Sequence, residues 1–104
     1  MKQLQHGDVT IQEIKSLPKG IVPVSRENGR LILARGEATG HNHSVLEKTA
    51  TLYQLGSELY MEVSDPVVIV HEEHKPLTVP TGIYKIGQVV ERDWQSELVK
   101  RVVD

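Results

Sequence analysis

The 104-residue sequence contains no cysteine and no phenylalanine, and it has only one tryptophan and three tyrosines. Without cysteine, the chain has no means to form disulfide bonds, thiolate zinc sites, iron–sulfur clusters or a cysteine nucleophile. The apolar residues are mostly valine, isoleucine and leucine, and the β-branched ones among them favour strands. A length of 104 residues suits one hydrophobic core, and we therefore interpret residues 1–104 as a single domain.

The chain also lacks a large excess of charge and a long apolar run. Its net charge is −2, and acidic and basic residues are mixed along it, which argues against a nucleic-acid-binding surface. The longest apolar runs, at residues 31–34 and 67–70, are too short to cross a bilayer. The first residues carry no apolar segment of the kind that a signal peptide has. We therefore expect a cytoplasmic protein that binds neither nucleic acid nor membrane.

Turn-forming residues divide the chain into short runs rich in valine, isoleucine, leucine and threonine, with a spacing of about ten residues that is typical of an all-β sandwich or barrel. Asn28 and Gly29 form the strongest hairpin signal, because a type I′ turn needs a positive φ at both central residues. We predict that this turn joins a strand carrying Pro23 to a strand at residues 31–34. Because proline has no N–H to donate, we expect the strand of Pro23 to lie at a sheet edge or to contain a bulge.

Alternating apolar residues predict the other strands. A first strand is expected at residues 9–14, and a hairpin at residues 50–63 that turns at Gly56 and Ser57. A buried strand at residues 67–70 leads into His71, and a last strand covers residues 83–91. The tail, residues 94–103, fits either a helix or a terminal strand. The fold class predicted is thus all-β, a small antiparallel barrel or sandwich with at most one short C-terminal helix.

Four of the five histidines occur in two close pairs, His41 with His43 and His71 with His74. Neutral imidazole binds divalent transition metals, and two ligands that are close in sequence chelate one ion readily. His41 and His43 point to the same face of a strand, whereas His71 and His74 share a face only if the chain turns or coils between them. We therefore predict that these four histidines bind a divalent transition metal such as Zn, Ni, Fe or Mn.

Glu47 and Glu73 lie near the histidine pairs in the sequence and are the candidate catalytic residues. Either carboxylate would act as a general base beside a metal ion that keeps one coordination position open for water or a small-molecule substrate. Four histidines around one ion would instead make a closed structural or storage site, and the sequence leaves both arrangements open. His6 stands apart from both pairs, near the N-terminus, and we interpret it as non-functional.

One stretch of the chain is similar to a known family. The pattern His41-x-His43-x-x-x-Glu47 resembles the first cupin motif, in which two histidines and a glutamate bind a catalytic metal. Pro80-x-Gly82 resembles the turn of the second cupin motif. This resemblance implies a small cupin-type barrel with a metal-dependent activity. The segments around both histidine pairs also resemble a set of short uncharacterised bacterial proteins, and that resemblance implies no activity.

The alternative hypothesis is a binding or oligomerisation module without catalysis. An exposed strand edge would let such a module form a homo-oligomer, and its histidines would be surface groups or groups that respond to pH. The metal content of the protein, purified without an affinity tag, distinguishes the two hypotheses.

Overall fold

The computed structural model describes residues 3–35 and 42–88, and within these ranges every regular element is a β-strand. This confirms the predicted all-β class, and all strand pairs are antiparallel. The predicted C-terminal helix or strand at residues 94–103 lies outside the described residues. The strands are β1 (Gln3–His6), β2 (Val9–Ile14), β3 (Val22–Pro23), β4 (Leu31–Arg35), β5 (Asn42–Val45), β6 (Ala50–Leu55), β7 (Glu58–Val63), β8 (Val67–His71), β9 (His74–Val79) and β10 (Gly82–Gln88).

These strands form two open sheets. The six-stranded sheet has the order β1-β2-β10-β7-β6-β3, and the four-stranded sheet has the order β4-β5-β8-β9. Each sheet ends in two different edge strands, so the described part of the chain does not close into a barrel. The prediction was a small antiparallel barrel or sandwich, and the described residues form two antiparallel sheets.

The apolar faces of the two sheets meet in one hydrophobic core. On β5 and β8 the residues that face the core change from aliphatic to histidine at one end of each strand. His43 is two residues from Val45, and His71 is two residues from Ile69. The strand period of two therefore places both histidines on the inward face. Core residues with less than 5 % exposure include Ile11, Leu52, Met61 and Tyr84 from the six-stranded sheet and Leu31, Val45, Ile69 and Val79 from the four-stranded sheet.

The Asn28–Gly29 turn has the predicted conformation but a different role. Asn28 has a φ of 53° and Gly29 a φ of 80°, which are the two positive values that a type I′ turn needs. Glu27 and Arg30 exchange backbone hydrogen bonds of 2.8 and 3.0 Å across it. However, β3 and β4 belong to different sheets, so the turn does not pair them as predicted. It carries the chain from one sheet to the other.

Two further predictions are confirmed. The strand that contains Pro23 is β3, and it lies at the edge of the six-stranded sheet. The hairpin of β6 and β7 turns at Gly56 and Ser57 with the predicted boundaries. The strand β1 was not predicted, and it pairs with β2 from His6 opposite Val9 to Gln3 opposite Gln12. Within residues 3–35 and 42–88 no helix is long and apolar enough to span a membrane.

Candidate metal site

His43, His71 and His74 form a row across three neighbouring strands. The pairing of Ser44 with Val70 puts His43 opposite His71, one residue further along the same register. His71 in turn pairs directly with His74. Residues that are opposite each other on adjacent strands project to the same face, so the register of β5, β8 and β9 brings the three imidazoles together.

A two-residue turn makes His71 and His74 neighbours. β8 ends at His71, Glu72 and Glu73 form the turn, and β9 begins at His74. A shift in strand register between Ile69 and His71 accompanies this hairpin. The chain therefore turns between the two histidines, as it must if both are to reach one ion. Because of this turn, two histidines that are three residues apart in the sequence become a cross-strand pair.

The three rings are close enough to share a cation. One ligand atom from each of His43, His71 and His74 lies within 4.8 Å of the other two. The ring centroids of His43 and His71 are 4.4 Å apart, and those of His71 and His74 are 4.6 Å apart. His43 is buried, His71 is intermediate and His74 is exposed, so the group runs from the interior to the surface.

The hairpin of β1 and β2 covers this group from the other sheet. Its turn contains Gly7, which has a φ of 62°. A Cβ atom on Gly7 would lie 2.7 Å from Nε2 of His74 and 3.0 Å from Cε1 of His43. These separations are shorter than van der Waals contact, so the absence of a side chain at residue 7 lets the turn approach the two rings closely.

His6 is part of the cluster, whereas in the sequence it stands apart from both histidine pairs. It is the last residue of β1 and only 3 % exposed. Its Nδ1 is 2.8 Å from Nδ1 of His43, and its Nε2 is 2.8 Å from the carbonyl oxygen of Lys75. His6 therefore connects a ring of the site to the backbone of β9.

These two hydrogen bonds determine where the protons sit in the neutral rings. A carbonyl oxygen only accepts, so Nε2 of His6 carries the proton that it donates to Lys75. Nδ1 of neutral His6 then has a lone pair and accepts from Nδ1–H of His43. Because neutral imidazole carries one N–H, Nε2 of His43 is left with a lone pair, which is the form that binds a metal.

Burial favours the neutral form of both rings. Desolvation, together with the nearby His71 and His6, lowers the pKa of His43 from its ordinary value of 6.5 to about 4. Desolvation also lowers the pKa of His6, and this outweighs the opposing effect of its hydrogen bond to Lys75. At neutral pH both rings are therefore uncharged, as the assignment of protons above requires.

Asp8 places a carboxylate beside the lone pair of His43. Its Oδ1 is 3.3 Å from Nε2 of His43, and its Oδ2 accepts a hydrogen bond of 2.7 Å from Gln88. Burial raises the pKa of Asp8, but the hydrogen bonds from Gln88 and from the backbone, together with the nearby His43, outweigh this and lower it below its ordinary value. Asp8 is therefore an anion at the edge of the histidine group.

His71 uses one ring nitrogen within its own turn. The backbone N–H of Glu73 donates to Nδ1 of His71 over 3.0 Å. If Nδ1 binds an ion, its lone pair is no longer free for this bond. If Nε2 binds the ion, Nδ1 becomes an N–H and no longer accepts. Coordination by His71 therefore breaks this hydrogen bond in either case.

The other predicted site residues are placed as follows. Glu47 follows β5, and its Oε2 accepts a 3.1 Å hydrogen bond from the backbone N–H of Val68, three residues before His71 on β8. Glu73 is exposed in the β8–β9 turn, between two histidines of the group. His41 lies outside the described residues. The structure thus adds His6 and Asp8 to the candidate site, and of the two predicted catalytic carboxylates Glu73 is the one that adjoins a site histidine in sequence.

A family profile for a domain of unknown function (DUF8820) matches residues 5–88 of the 104-residue chain. The chain belongs to this family. No curated protein and no solved structure matches the chain significantly. The matched range contains all five histidines as well as Asp8, so the candidate site lies within the DUF8820 domain. The family match does not bear on the resemblance to cupins, which stays a prediction.

Proposed function

We propose that this protein binds a divalent transition metal through His43, His71 and His74. The observation that carries the proposal is the convergence of three imidazole ligand atoms within 4.8 Å. Ligand atoms around one zinc ion are about 3.3 Å apart if each lies about 2.0–2.1 Å from it in tetrahedral geometry. Small rotations of the exposed His74 ring and the half-exposed His71 ring would bring the three atoms to that spacing.

The protonation of the cluster also supports metal binding. Metal ions bind only neutral imidazole, so protons compete with the metal for a histidine whose pKa is near 7. The lowered pKa of His43, about 4, removes this competition at neutral pH. The hydrogen bond from His43 to His6 holds the ring and its tautomer, as partners of metal-bound histidines commonly do. Of the four ions predicted from the sequence, Zn, Ni and Fe are those that imidazole ligands suit best.

A catalytic role would need one coordination position open to water or a small molecule. Glu73, in the turn between His71 and His74, would then be the general base. Of the two predicted carboxylates we favour Glu73, because it lies in the turn that joins two of the proposed ligands.

Elemental analysis of protein purified without an affinity tag tests the proposal. We expect close to one transition-metal ion per chain, or uptake of one ion in a competition titration with a coloured chelator. His43→Ala should weaken binding by at least about 100-fold, which is the upper end of the loss seen for residues that only support a ligand. Glu72→Gln, in the same turn, is the matched control and should bind as the wild type does.

The outcome against the proposal is a folded, metal-free protein that takes up none of these ions in the titration. The alternative hypothesis of a module whose histidines are surface or pH-responsive groups would then be favoured.

A further inference from the structure

Asp8 brings a carboxylate oxygen next to a ring nitrogen of His43. Oδ1 of Asp8 carries a negative charge and accepts hydrogen bonds. The hydrogen bonds of His6 leave Nε2 of neutral His43 with a lone pair. Oδ1 of Asp8 lies 3.3 Å from this nitrogen. A carboxylate oxygen and a bare imidazole nitrogen are both metal ligands, so a cation placed between the two atoms would bind to both.

The length of this contact is the one that a small tetrahedral ion requires. Two ligand atoms at about 2.0–2.1 Å from such an ion are separated by about 3.3–3.4 Å. The distance from Oδ1 of Asp8 to Nε2 of His43 is 3.3 Å. Asp8 and His43 are thus already spaced as two ligands of one ion.

The position of Asp8 is determined by the hairpin that carries it. His6, two residues earlier, is held by His43 and by the backbone of Lys75. Gly7 lies against the ring of His74, and Gln88 of β10 holds Oδ2 of Asp8. These contacts leave Oδ1 next to Nε2 of His43.

We propose that Asp8 is the fourth ligand, so that the site is a closed tetrahedral His₃Asp centre that holds a metal and does not activate water. This inference rests on the proposed function. It decides between the two arrangements that the sequence left open, because a carboxylate in the fourth position removes the vacancy that catalysis would need.

Cobalt(II) provides the test, because its visible absorption is strong in four-coordinate sites and weak in six-coordinate sites. We would titrate the full chain with cobalt and compare the wild type with Asp8→Asn. The variant should lose at least about tenfold in affinity, and its absorption should weaken as water replaces the carboxylate. Asp8→Glu keeps a carboxylate and should restore part of the affinity and intensity. Asp65→Asn changes another exposed aspartate and should match the wild type.

The possible results separate the two proposals. If the wild type binds no cobalt, both the metal site and the role of Asp8 are wrong. If the wild type binds cobalt and Asp8→Asn gives the same affinity and spectrum, the three histidines bind metal and the inference about Asp8 is wrong. A loss of affinity with an unchanged spectrum also contradicts ligation by Asp8, since charge alone would then explain the loss. Should Asp8→Asn fail to fold, a weak six-coordinate spectrum for the wild type would overturn the inference by itself.

Discussion

His6 determines the chemistry of the site although it faces the cluster from the opposite sheet. Its Nδ1 accepts a hydrogen bond from Nδ1–H of His43, and this leaves the other nitrogen of His43 with its lone pair. In His6→Leu that acceptor is lost, and we expect the proton of His43 to move to Nε2, next to Asp8. His6→Asn is the matched variant, because its side-chain oxygen can replace the lost acceptor.

Nitrogen-15 NMR of the metal-free protein at neutral pH distinguishes a protonated ring nitrogen from a bare one. We expect His43 to carry its proton on Nδ1 in the wild type and in His6→Asn, and on Nε2 in His6→Leu. Metal affinity should fall by about 10–100-fold in His6→Leu, as for other partners of metal ligands. A wild-type His43 with its proton on Nε2 would contradict the assignment, whether or not the protein binds metal.

The pKa of His43 predicts how acid affects the metal-free protein. This pKa falls from 6.5 to about 4 on folding, so between these values the unfolded chain binds the proton more readily than the folded one. Protonation then favours unfolding, and the free energy of unfolding should decrease as the pH falls from 6.5 to 4. Urea unfolding midpoints across this range measure the effect. His43→Gln should show a shallower decrease, and equal slopes for both proteins would contradict the prediction.

At the scale of elements, the β1–β2 turn and the β6–β7 turn offer a matched pair of glycines. Gly7 and Gly56 have φ values of 62° and 60°, so the backbone conformation alone should make alanine at either position cost about 1–2 kcal/mol. Only Gly7 also faces histidine rings: a Cβ there would lie 2.7 Å from Nε2 of His74 and 3.0 Å from Cε1 of His43, whereas nothing lies within 4 Å of a Cβ on Gly56.

The two variants are therefore expected to differ in metal binding. Gly7→Ala should displace the exposed ring of His74 and weaken metal binding by about tenfold or more, as a disturbed ligand position does. Gly56→Ala should bind metal as the wild type does. Chemical unfolding and a chelator titration give the two quantities, and equal metal affinities for the two variants would show that the close approach of Gly7 is unimportant.

The β8–β9 turn should report directly on coordination by His71. Since either ring nitrogen of His71 must give up the hydrogen bond from Glu73 when it binds an ion, the backbone amide of Glu73 should change its NMR shift and exchange faster with solvent once zinc is added. The amide of Ser57, in the β6–β7 turn, is the control and should not change. An unaltered Glu73 amide in the metal-bound protein would exclude His71 as a ligand.

How far the sequence predicts these elements depends on how local their causes are. Asn28–Gly29 and Gly56–Ser57 were correctly placed in turns because backbone conformation at a glycine is decided by the residue itself. The strand β1 was missed, since its core-facing positions include the polar His6 in place of an aliphatic residue. The two sides of the site belong to different sheets, and sequence spacing carries no information on which hairpin of one sheet covers the other.

The candidate site shows the same division between local and distant causes. Clustering in the sequence indicated His43, His71 and His74, and the need for a turn at Glu72 and Glu73 followed from strand geometry. Asp8 was not among the predicted site residues, because nothing near it in the sequence indicated its proximity to His43. Only the packing of the two sheets supplies that contact.

At the scale of the whole molecule, the proposed ligands join the two sheets. His43, His71 and His74 belong to the four-stranded sheet, and Asp8 follows β1 of the six-stranded sheet. A metal ion bound by all four would link the sheets at the end of the core where the inward residues change from apolar to imidazole. Such a link acts only on the folded chain, so above the dissociation constant its stabilising free energy increases with the logarithm of the metal concentration.

That link has a consequence for the rates of folding and unfolding. The ligands at positions 8 and 43 and in the hairpin at 71–74 meet only after both sheets have formed and packed, so the complete site should be absent from the folding transition state. Interactions that form after this state slow unfolding and leave the folding rate nearly unchanged. We therefore expect saturating zinc to lower the unfolding rate constant in stopped-flow experiments while the refolding rate stays the same. A faster refolding rate would instead mean that the hairpin of His71 and His74 captures the ion early and that the metal guides the chain to its fold.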